Sequence, residues 1–394
     1  MPETISGKVG TVVAFGDVVQ RSKERSDDPE ADGFERYLGL EHLEKREISI
    51  RSWGDIADGT TFTTVFRNGQ VLFGKRRAYQ RKVAVADFSG VCSGDIYVLE
   101  PKGDRLLAEL LPFICQSESF YDYVISMSQG GLSPRVNWKA LAKYEFELPP
   151  LEEQRRIVHV LQAAHRVSET YRIAAESGLE VLDAHVARLM SGQRCRGARE
   201  VPLAEACDRV IVGIASSATH AYRESGVAMV RNTNIKKGTL ELDELLYLDP
   251  AFDAQNKSKR LRVGDVVTAR TGNPGESAVV PASLAGCQTF TTLISSPDPS
   301  MLDSEYLCWW INGPLGKSFI RTRQFGGVQQ NMNATLLKQM PIRIPPLQVQ
   351  RDLVKEIRSL SDNVTSINER RSYLASVQRT LLAEVLRSPR GGTK

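Results

Sequence analysis

Six cations and no acid stand between Arg67 and Ala86: Arg67, Lys75, Arg76, Arg77, Arg81 and Lys82, with Phe73 and Tyr79 interleaved. A guanidinium offers its donors in a rigid planar fork that fits phosphate oxygens and the O6/N7 edge of guanine; an ammonium is a point charge suited to phosphate. The stretch is therefore expected to meet nucleic acid, the competing reading being a solvated hairpin face. A second group, Lys257, Lys259, Arg260 and Arg262, precedes a strand-like run, and Arg270-Thr271-Gly272-Asn273-Pro274-Gly275 follows it. Asn273 carries the donor–acceptor pair that fits adenine, and the glycines let backbone approach a duplex closely. Two Gly-Gly loops add polar donors: Gln129, Arg135 and Asn137 in one, Gln324, Gln329, Gln330, Asn331 and Asn333 in the other. These suit phosphates or base edges; the alternative is a buried turn that docks a helix.

Signatures of catalysis are missing. Gly316-Lys317-Ser318 would end a phosphate loop only with glycine at 311, which is Ile311. There is no G-x-G-x-x-G and no Asn/Asp-Pro-Pro-Tyr/Phe stretch of the adenine-methyltransferase kind. His42, His159, His165, His185 and His220 are not spaced as one site. Cys92, Cys115, Cys195, Cys207, Cys287 and Cys308 form no C-x-x-C pair, so they read as reduced, mostly buried thiols and not as zinc ligands. No catalytic residue, cofactor or metal is expected in this chain.

The elements that carry these loops come in duplicate. Leu148-Pro149-Pro150-Leu151-Glu152-Glu153-Gln154-Arg155-Arg156-Ile157-Val158 returns 196 residues later as Ile344-Pro345-Pro346-Leu347-Gln348-Val349-Gln350-Arg351-Asp352-Leu353-Val354. From Ser128 to Val158 the gapless offset gives 10 identities in 31 pairs, where chance composition gives about 2. Gly130-Gly131 falls on Gly326-Gly327 and Asn137 on Asn333. A period this long is a duplicated domain, not a solenoid. Strands are expected over Thr60–Phe66, Val71–Phe73, Val83–Val85 and Ile96–Leu99, then a helix over Leu106–Ser126. The second copy gives Asp265–Ala269, Ser277–Val280, Thr289–Ile294 and a helix over Ser304–Arg323. Each domain thus reads as one small curved sheet with one or two helices.

After each Pro-Pro comes a long helical period. The second follows a 4,3 spacing through Leu353, Ile357, Leu360, Val364, Ile367, Arg371, Leu374, Gln378, Leu381 and Val385. The first is looser, through Ile157, Leu161, Ala164, Ser168, Tyr171, Ala175, Gly178, Leu182, His185 and Leu189. At 1.5 Å per residue each would run to roughly 60 Å. The expected fold is α+β: two pseudo-twofold-related globular domains joined by two long antiparallel coiled-coil helices. Its parts are domain 1 (1–148), spacer helix 1 (149–191), a linker (192–200), domain 2 (201–343), spacer helix 2 (344–388) and a tail (389–394).

Net charge is +4 over 394 residues, too small for a polycation, so nucleic-acid contact has to come from local patches. No run of eighteen apolar residues is present and no secretory start is visible, so a cytoplasmic chain without a membrane partner is expected.

The paired P-P-L-x-x-Q-R-x-x-V helix starts, each closing a variable domain, resemble those of the specificity (S) subunit of type I restriction–modification systems. Tyr37-Leu38-Gly39-Leu40-Glu41-His42-Leu43, Gly69-Gln70-Val71-Leu72-Phe73-Gly74-Lys75-Arg76-Arg77 and Cys92-Ser93-Gly94-Asp95 are similar to stretches of its first recognition domain. The resemblance implies a non-catalytic DNA-recognition subunit that reads one half of a bipartite, asymmetric target with each domain. It implies two methyltransferase subunits around the helices, using S-adenosylmethionine, and up to two restriction subunits using ATP and Mg. The alternatives are a protein-interaction scaffold without DNA readout, and a stand-alone DNA-modifying enzyme.

Overall fold

The computed structural model describes residues 10–131, 133–323 and 332–385. The chain forms two compact units, residues 1–172 with 369–394, and residues 173–368.

The first unit holds strands β1 (Thr11–Ala14), β2 (Val19–Arg21), β3 (Arg36–Leu38), β4 (Gly54–Asp55), β5 (Thr64–Phe66), β6 (Val71–Gly74), β7 (Val83–Val85), β8 (Gly90–Cys92), β9 (Ile96–Pro101) and β10 (Glu145–Leu148). Its short helices are α1 (Phe15–Val18), α2 (Leu111–Gln116), α3 (Glu118–Ser126) and α4 (Trp138–Leu141). The strands make two four-stranded sheets, β2-β9-β6-β7 and β4-β3-β8-β5, plus the pair β1-β10. All neighbours are antiparallel except β3 and β8. One sheet was expected per domain; two form, because β6 alternates its faces. Val71 and Phe73 enter a core with Phe15, Phe120, Tyr121 and Phe146, while Leu72 enters a second core with Leu38, Phe66 and Val98.

The second unit repeats the plan. Its strands are β11 (Arg199–Pro202), β12 (Cys207–Val212), β13 (Tyr222–Arg223), β14 (Val227–Arg231), β15 (Ile235–Lys236), β16 (Thr239–Leu240), β17 (Leu246–Leu248), β18 (Val266–Thr268), β19 (Ser277–Val279), β20 (Gln288–Phe290), β21 (Leu293–Pro297) and β22 (Pro341–Ile344). The sheets are β12-β21-β18-β19 and β13-β17-β14-β20, with β14 and β20 the parallel pair. Expected Thr289–Ile294 is two strands, because Thr291 at φ 52° turns the chain between the sheets.

Both expected sheet-covering helices are broken. Ser117 adopts extended backbone and caps α3 by accepting from Phe120 N. Gly313 is likewise extended, as a residue before proline tends to be, and separates Ser304–Asn312 from Pro314–Arg323.

The two long helices span Leu151–Ser191 and Leu347–Val385. Pro150 and Pro346 sit just before them, each carbonyl accepting the first helical bond, from Gln154 N and Gln350 N. Among the described side chains, every position of both 4,3 seams is buried or half-buried. In the first unit Ile157, Val158 and Leu161 share a core with Leu382. In the second, Leu182, Val186 and Leu189 share one with Leu353, Val354 and Ile357. Low numbers of one helix meeting high numbers of the other within each unit makes the pair antiparallel. Full burial of a leucine such as Leu161 contributes about 2 kcal/mol. No described helix is long and apolar enough to cross a membrane.

Candidate nucleic-acid interface

In the first unit two loops far apart in sequence meet at one end of the β2-β9-β6-β7 sheet. The chain leaving β6 pairs with the Gly-Gly loop through Arg77 N to Pro134 O (2.7 Å) and Val136 N to Lys75 O (3.1 Å). This gathers Lys75, Arg76 and Arg135 around Asp95, just before β9, with Arg77 and Gln129 in the same paired segments. Arg135 Nε donates to Asp95 Oδ1 at 2.8 Å, and Arg76 Nη1 to Asp95 Oδ2 at 3.2 Å. Lys75 Nζ lies 4.6 Å from the centre of the Tyr97 ring, over which Arg21 also stacks at 5.1 Å. Burial holds the Lys75 ammonium below the usual lysine range; Asp95 opposes this, and Arg21 and Arg135 reinforce it. Burial would raise the Asp95 carboxyl, but hydrogen bonds from Arg135 and Arg76 outweigh it and hold it low. Arg76 and Arg135 pair with this one carboxylate and Lys75 lies in its field, so the cluster is positive. Arg77 has no ion-pair partner among the described residues, and its backbone is left-handed (φ 52°), as is that of Arg81 (φ 53°).

The other members of this cationic run go elsewhere. Arg67, at the opposite end of β6, pairs with Glu24. Arg81 pairs with Glu118 and stacks over Tyr121. Lys82 Nζ donates to Leu40 O at 2.6 Å. Tyr79 is half exposed, at 50%.

The second unit repeats the convergence with different chemistry. Met332 N donates to Arg270 O (3.1 Å), the counterpart of Val136 and Lys75. Arg270 Nε returns a bond to Met332 O at 2.9 Å. Asn232 is the hub: its Oδ1 accepts from Arg270 N, and its Nδ2 donates to Thr271 Oγ1 and Thr291 Oγ1, both at 3.1 Å. Thr271, Gly272 and Asn273 are exposed, with Asn273 Nδ2 held by Glu276 Oε1 at 3.2 Å. Gly275 holds φ 94°, where a side chain is strained, and a Cβ there would stand 2.6 Å from Ile320 Cδ1.

The basic cluster before β18 does not join this loop, because a three-residue strand stands between them. Arg260 pairs with Asp253, and Arg209 donates to the carbonyls of Ser258 (2.7 Å) and Arg260 (2.8 Å). Lys257 and Arg262 are exposed and Lys259 half-buried. Asn137 and Asn333 are helix caps, accepting from Ala140 N and Leu336 N at 2.8 Å each. Their carbonyl oxygens are thus committed to the fold. Gln329, Gln330 and Asn331 lie outside the described residues.

Sequence reasoning passed over Asp95 and Asn232, which organise the two sheet ends. It also passed over Gln154 and Gln350. Gln154 Nε2 donates to Arg105 O and Pro149 O, and its Oε1 accepts from Leu107 N, at 2.8, 2.8 and 2.9 Å. Gln350 makes the same three bonds to Met301 O, Pro345 O and Asp303 N, each at 2.8 Å. Every partner sits at the 196 offset, so the repeated glutamine was the available signal. Among the described residues no cluster of three His, Cys, Asp or Glu could hold a metal.

Residues 12–175 match the family model described as the type I restriction modification DNA specificity domain. Over 132 residues, 31% of this chain, the sequence is 30% identical to the specificity subunit of the Escherichia coli type I restriction enzyme EcoDI. Over 168 residues, 42% of the chain, it is 18% identical to that of EcoBI, also from E. coli. These alignments span 29% and 35% of the two curated relatives. Among solved structures, the S subunit of a type I restriction–modification system from M. genitalium covers 98% of each chain, with TM-score 0.54 and 13% identity. A chain from a study of assembly and conformational transition in the type I system covers 96% of this chain and 98% of its own, with TM-score 0.53 and 22% identity. At these identities the structural likeness is one of fold.

Proposed function

We propose that the chain is the non-catalytic DNA-recognition subunit of a type I restriction–modification complex, a reading supported by the match of residues 12–175 to the DNA specificity domain and by the fold shared with S subunits. Each unit reads one half of a bipartite, asymmetric duplex target. The first uses Lys75, Arg76, Arg77, Gln129 and Arg135, with Tyr79 beside them; the second uses Arg270, Thr271 and Asn273. The long helices seat two methyltransferase subunits, which bind S-adenosylmethionine and methylate adenine. Restriction subunits using ATP and Mg join where the system also cuts. The setting is the cytoplasm. In domain terms, residues 1–148 and 201–343 are the readers, 149–191 and 344–388 the spacer helices, 192–200 a linker and 389–394 a tail.

One observation carries this reading: the Gly-Gly loop of the first unit, and Met332 in the second, pair with the chain leaving the equivalent strand, at the same end of an equivalent sheet. That end is positive in the first unit and amide-rich in the second. Fixed loops on a rigid sheet are what base readout requires, and arginine and asparagine are the side chains that distinguish guanine and adenine. Exposed Val160, Val167, Tyr373 and Val377 on the first unit's helix segments suit a protein cover.

Co-expression with a type I methyltransferase subunit, followed by methylome sequencing, tests the reading. A bipartite methylated-adenine motif is expected, and its absence counts against the proposal. The triple charge reversal Lys75→Glu, Arg76→Glu, Arg77→Glu should abolish that methylation while leaving assembly with the methyltransferase intact. Unchanged DNA binding would favour a scaffold without DNA readout.

A further inference from the structure

A surface built only to hold phosphates gains nothing from a carboxylate at its centre, yet Asp95 sits among Lys75, Arg76, Arg135 and Arg21. Its side chain is 19% exposed, against 38% for Arg76 and 51% for Arg135. The two arginines are engaged differently. Arg76 is tied at both ends, Nη1 to Asp95 and Nη2 to Ser133 Oγ at 3.2 Å, with Nε buried. Arg135 gives Asp95 only its side edge, Nε at 2.8 Å and Nη2 at 3.4 Å. The outer end of the Arg135 guanidinium, Nη1 with the second hydrogen of Nη2, stays available. That end is a two-donor fork whose spacing matches O6 and N7 of guanine.

Resting on the DNA-recognition reading above, we propose that Asp95 is a specificity-determining positioning residue and Arg135 the base reader it aims. Asp95 fixes the guanidinium plane against rotation about its long side chain, so that Arg135 meets a guanine edge in one orientation. Ser93 Oγ in turn accepts from Asp95 N at 3.2 Å, and Lys75 N donates to Asp95 O at 3.0 Å, so the aiming carboxylate stands on a braced segment. A mobile arginine would satisfy a phosphate equally well and would not need this brace. The second unit has Thr291 at the corresponding offset, and among the described residues no carboxylate bonds Asn232, which makes it an internal control.

The test uses the full-length chain with its methyltransferase subunit and a randomised duplex DNA library, sequenced after selection. The native chain should select guanine at one position of one half-site. Arg135→Ala should erase that preference and leave the other half-site unchanged. Asp95→Asn and Asp95→Glu should each weaken it about tenfold, the scale of one bidentate base contact. Asp95→Glu matters because it keeps the charge and moves the carboxylate by one methylene; it also serves if Asp95→Asn fails to fold, which a thermal melt reports. Unchanged base preferences in both Asp95 variants, with tighter binding to all sequences in Asp95→Asn, would overturn the proposal, Asp95 then being a repulsive charge. Uniform weakening across sequences in Arg135→Ala would overturn it too, marking a phosphate contact. If the Lys75, Arg76, Arg77 reversal leaves DNA binding intact, the recognition reading itself fails, whatever the Asp95 variants do.

Discussion

Removing a latch glutamine should loosen one helix start and leave the other untouched. Gln154 is 1% exposed and Gln350 fully buried, and each satisfies two carbonyls and one amide of its own unit. Truncation in Gln154→Ala strands those three groups. At a net loss of about 1 kcal/mol per hydrogen bond the cost is about 3 kcal/mol, roughly two decades in the local opening equilibrium. Gln154→Glu is the sharper perturbation. It keeps the shape but turns the donor into a carboxylate oxygen facing Arg105 O and Pro149 O. Burial and those carbonyls would raise the new carboxyl's folded pKa above its unfolded value of about 4.3. With a raised folded pKa, the variant is least impaired below that unfolded value and loses stability as pH climbs through the folded one. Its deficit should therefore widen from about pH 4 to pH 7, whereas that of Gln154→Ala should stay flat. Hydrogen exchange followed by mass spectrometry reads this by segment. Amides at the start of the Leu151–Ser191 helix should exchange about a hundredfold faster in Gln154→Ala, and those at the start of Leu347–Val385 only in Gln350→Ala. Protection unchanged to within threefold would refute the latch.

Three further outcomes follow from the packing. Gly178 faces Val364, and a Cβ there would lie 2.9 Å from Val364 Cγ2; Gly178→Ala gains about 1 kcal/mol of helix propensity but overpacks by about as much or more, so it should be neutral to destabilising. Adding Val364→Ala should restore part of the loss in a double-mutant cycle on urea midpoints, and strict additivity would argue against the contact. Arg51 binds Glu44, Glu47 and Glu169, while Arg371 adds to Glu47 and Arg172 to Glu169. Burial raises the Glu169 carboxyl, but Arg172 and Arg51 outweigh it and hold it below the usual glutamate range. That stability is present above about pH 4.5 and lost as pH falls through the lowered folded pKa; Arg51→Ala should cost about 2 kcal/mol at pH 7 and flatten the acid limb of a pH–urea series. Burial pushes the Cys92 and Cys308 thiols up to about 12, and Cys115 upward as well. Ellman's reagent at pH 8 should leave these three unreacted until denaturant is added, as mapped by peptide mass.

What could be read in the sequence and what could not divide along a physical line. The Pro-Pro helix starts, the seam positions and the strands Val71–Phe73 and Val83–Val85 rest on local backbone preference and on burial period, which neighbouring residues largely determine. The sheet count was misjudged because it depends on which core each face of β6 meets, a question of tertiary pairing. The helix Ser304–Arg323 had its own breaker in view, Gly313-Pro314, and apolar spacing on both sides masked it. Site residues fared by the same rule. A run of cations marks a surface, but whether a given arginine stays available depends on where a distant acid lands: Glu24 takes Arg67, Glu118 takes Arg81, and Asp253 takes Arg260. Asn137 and Asn333 looked like base readers, and their spacing before Ala140 and Leu336 was equally that of a helix cap.

The duplication separates what the backbone needs from what a ligand needs. Residues that hold the plan are kept at the same offset in both copies: the latch glutamines, the capping asparagines and the prolines before each helix. Where the two copies face outward the chemistry diverges. Asp95 with its arginines stands at the offset of Thr291, which accepts from Asn232 in the second copy. Had the outward edges served folding alone, the same offset that preserves three separate hydrogen bonds of a buried glutamine would have little reason to exchange a charged node for a neutral amide. The equivalent sheet ends differ in charge yet share a backbone contact, Val136 N to Lys75 O in one and Met332 N to Arg270 O in the other. A common frame presenting unlike donors at matched positions is what reading two different half-sites demands, and a symmetric target would demand the opposite.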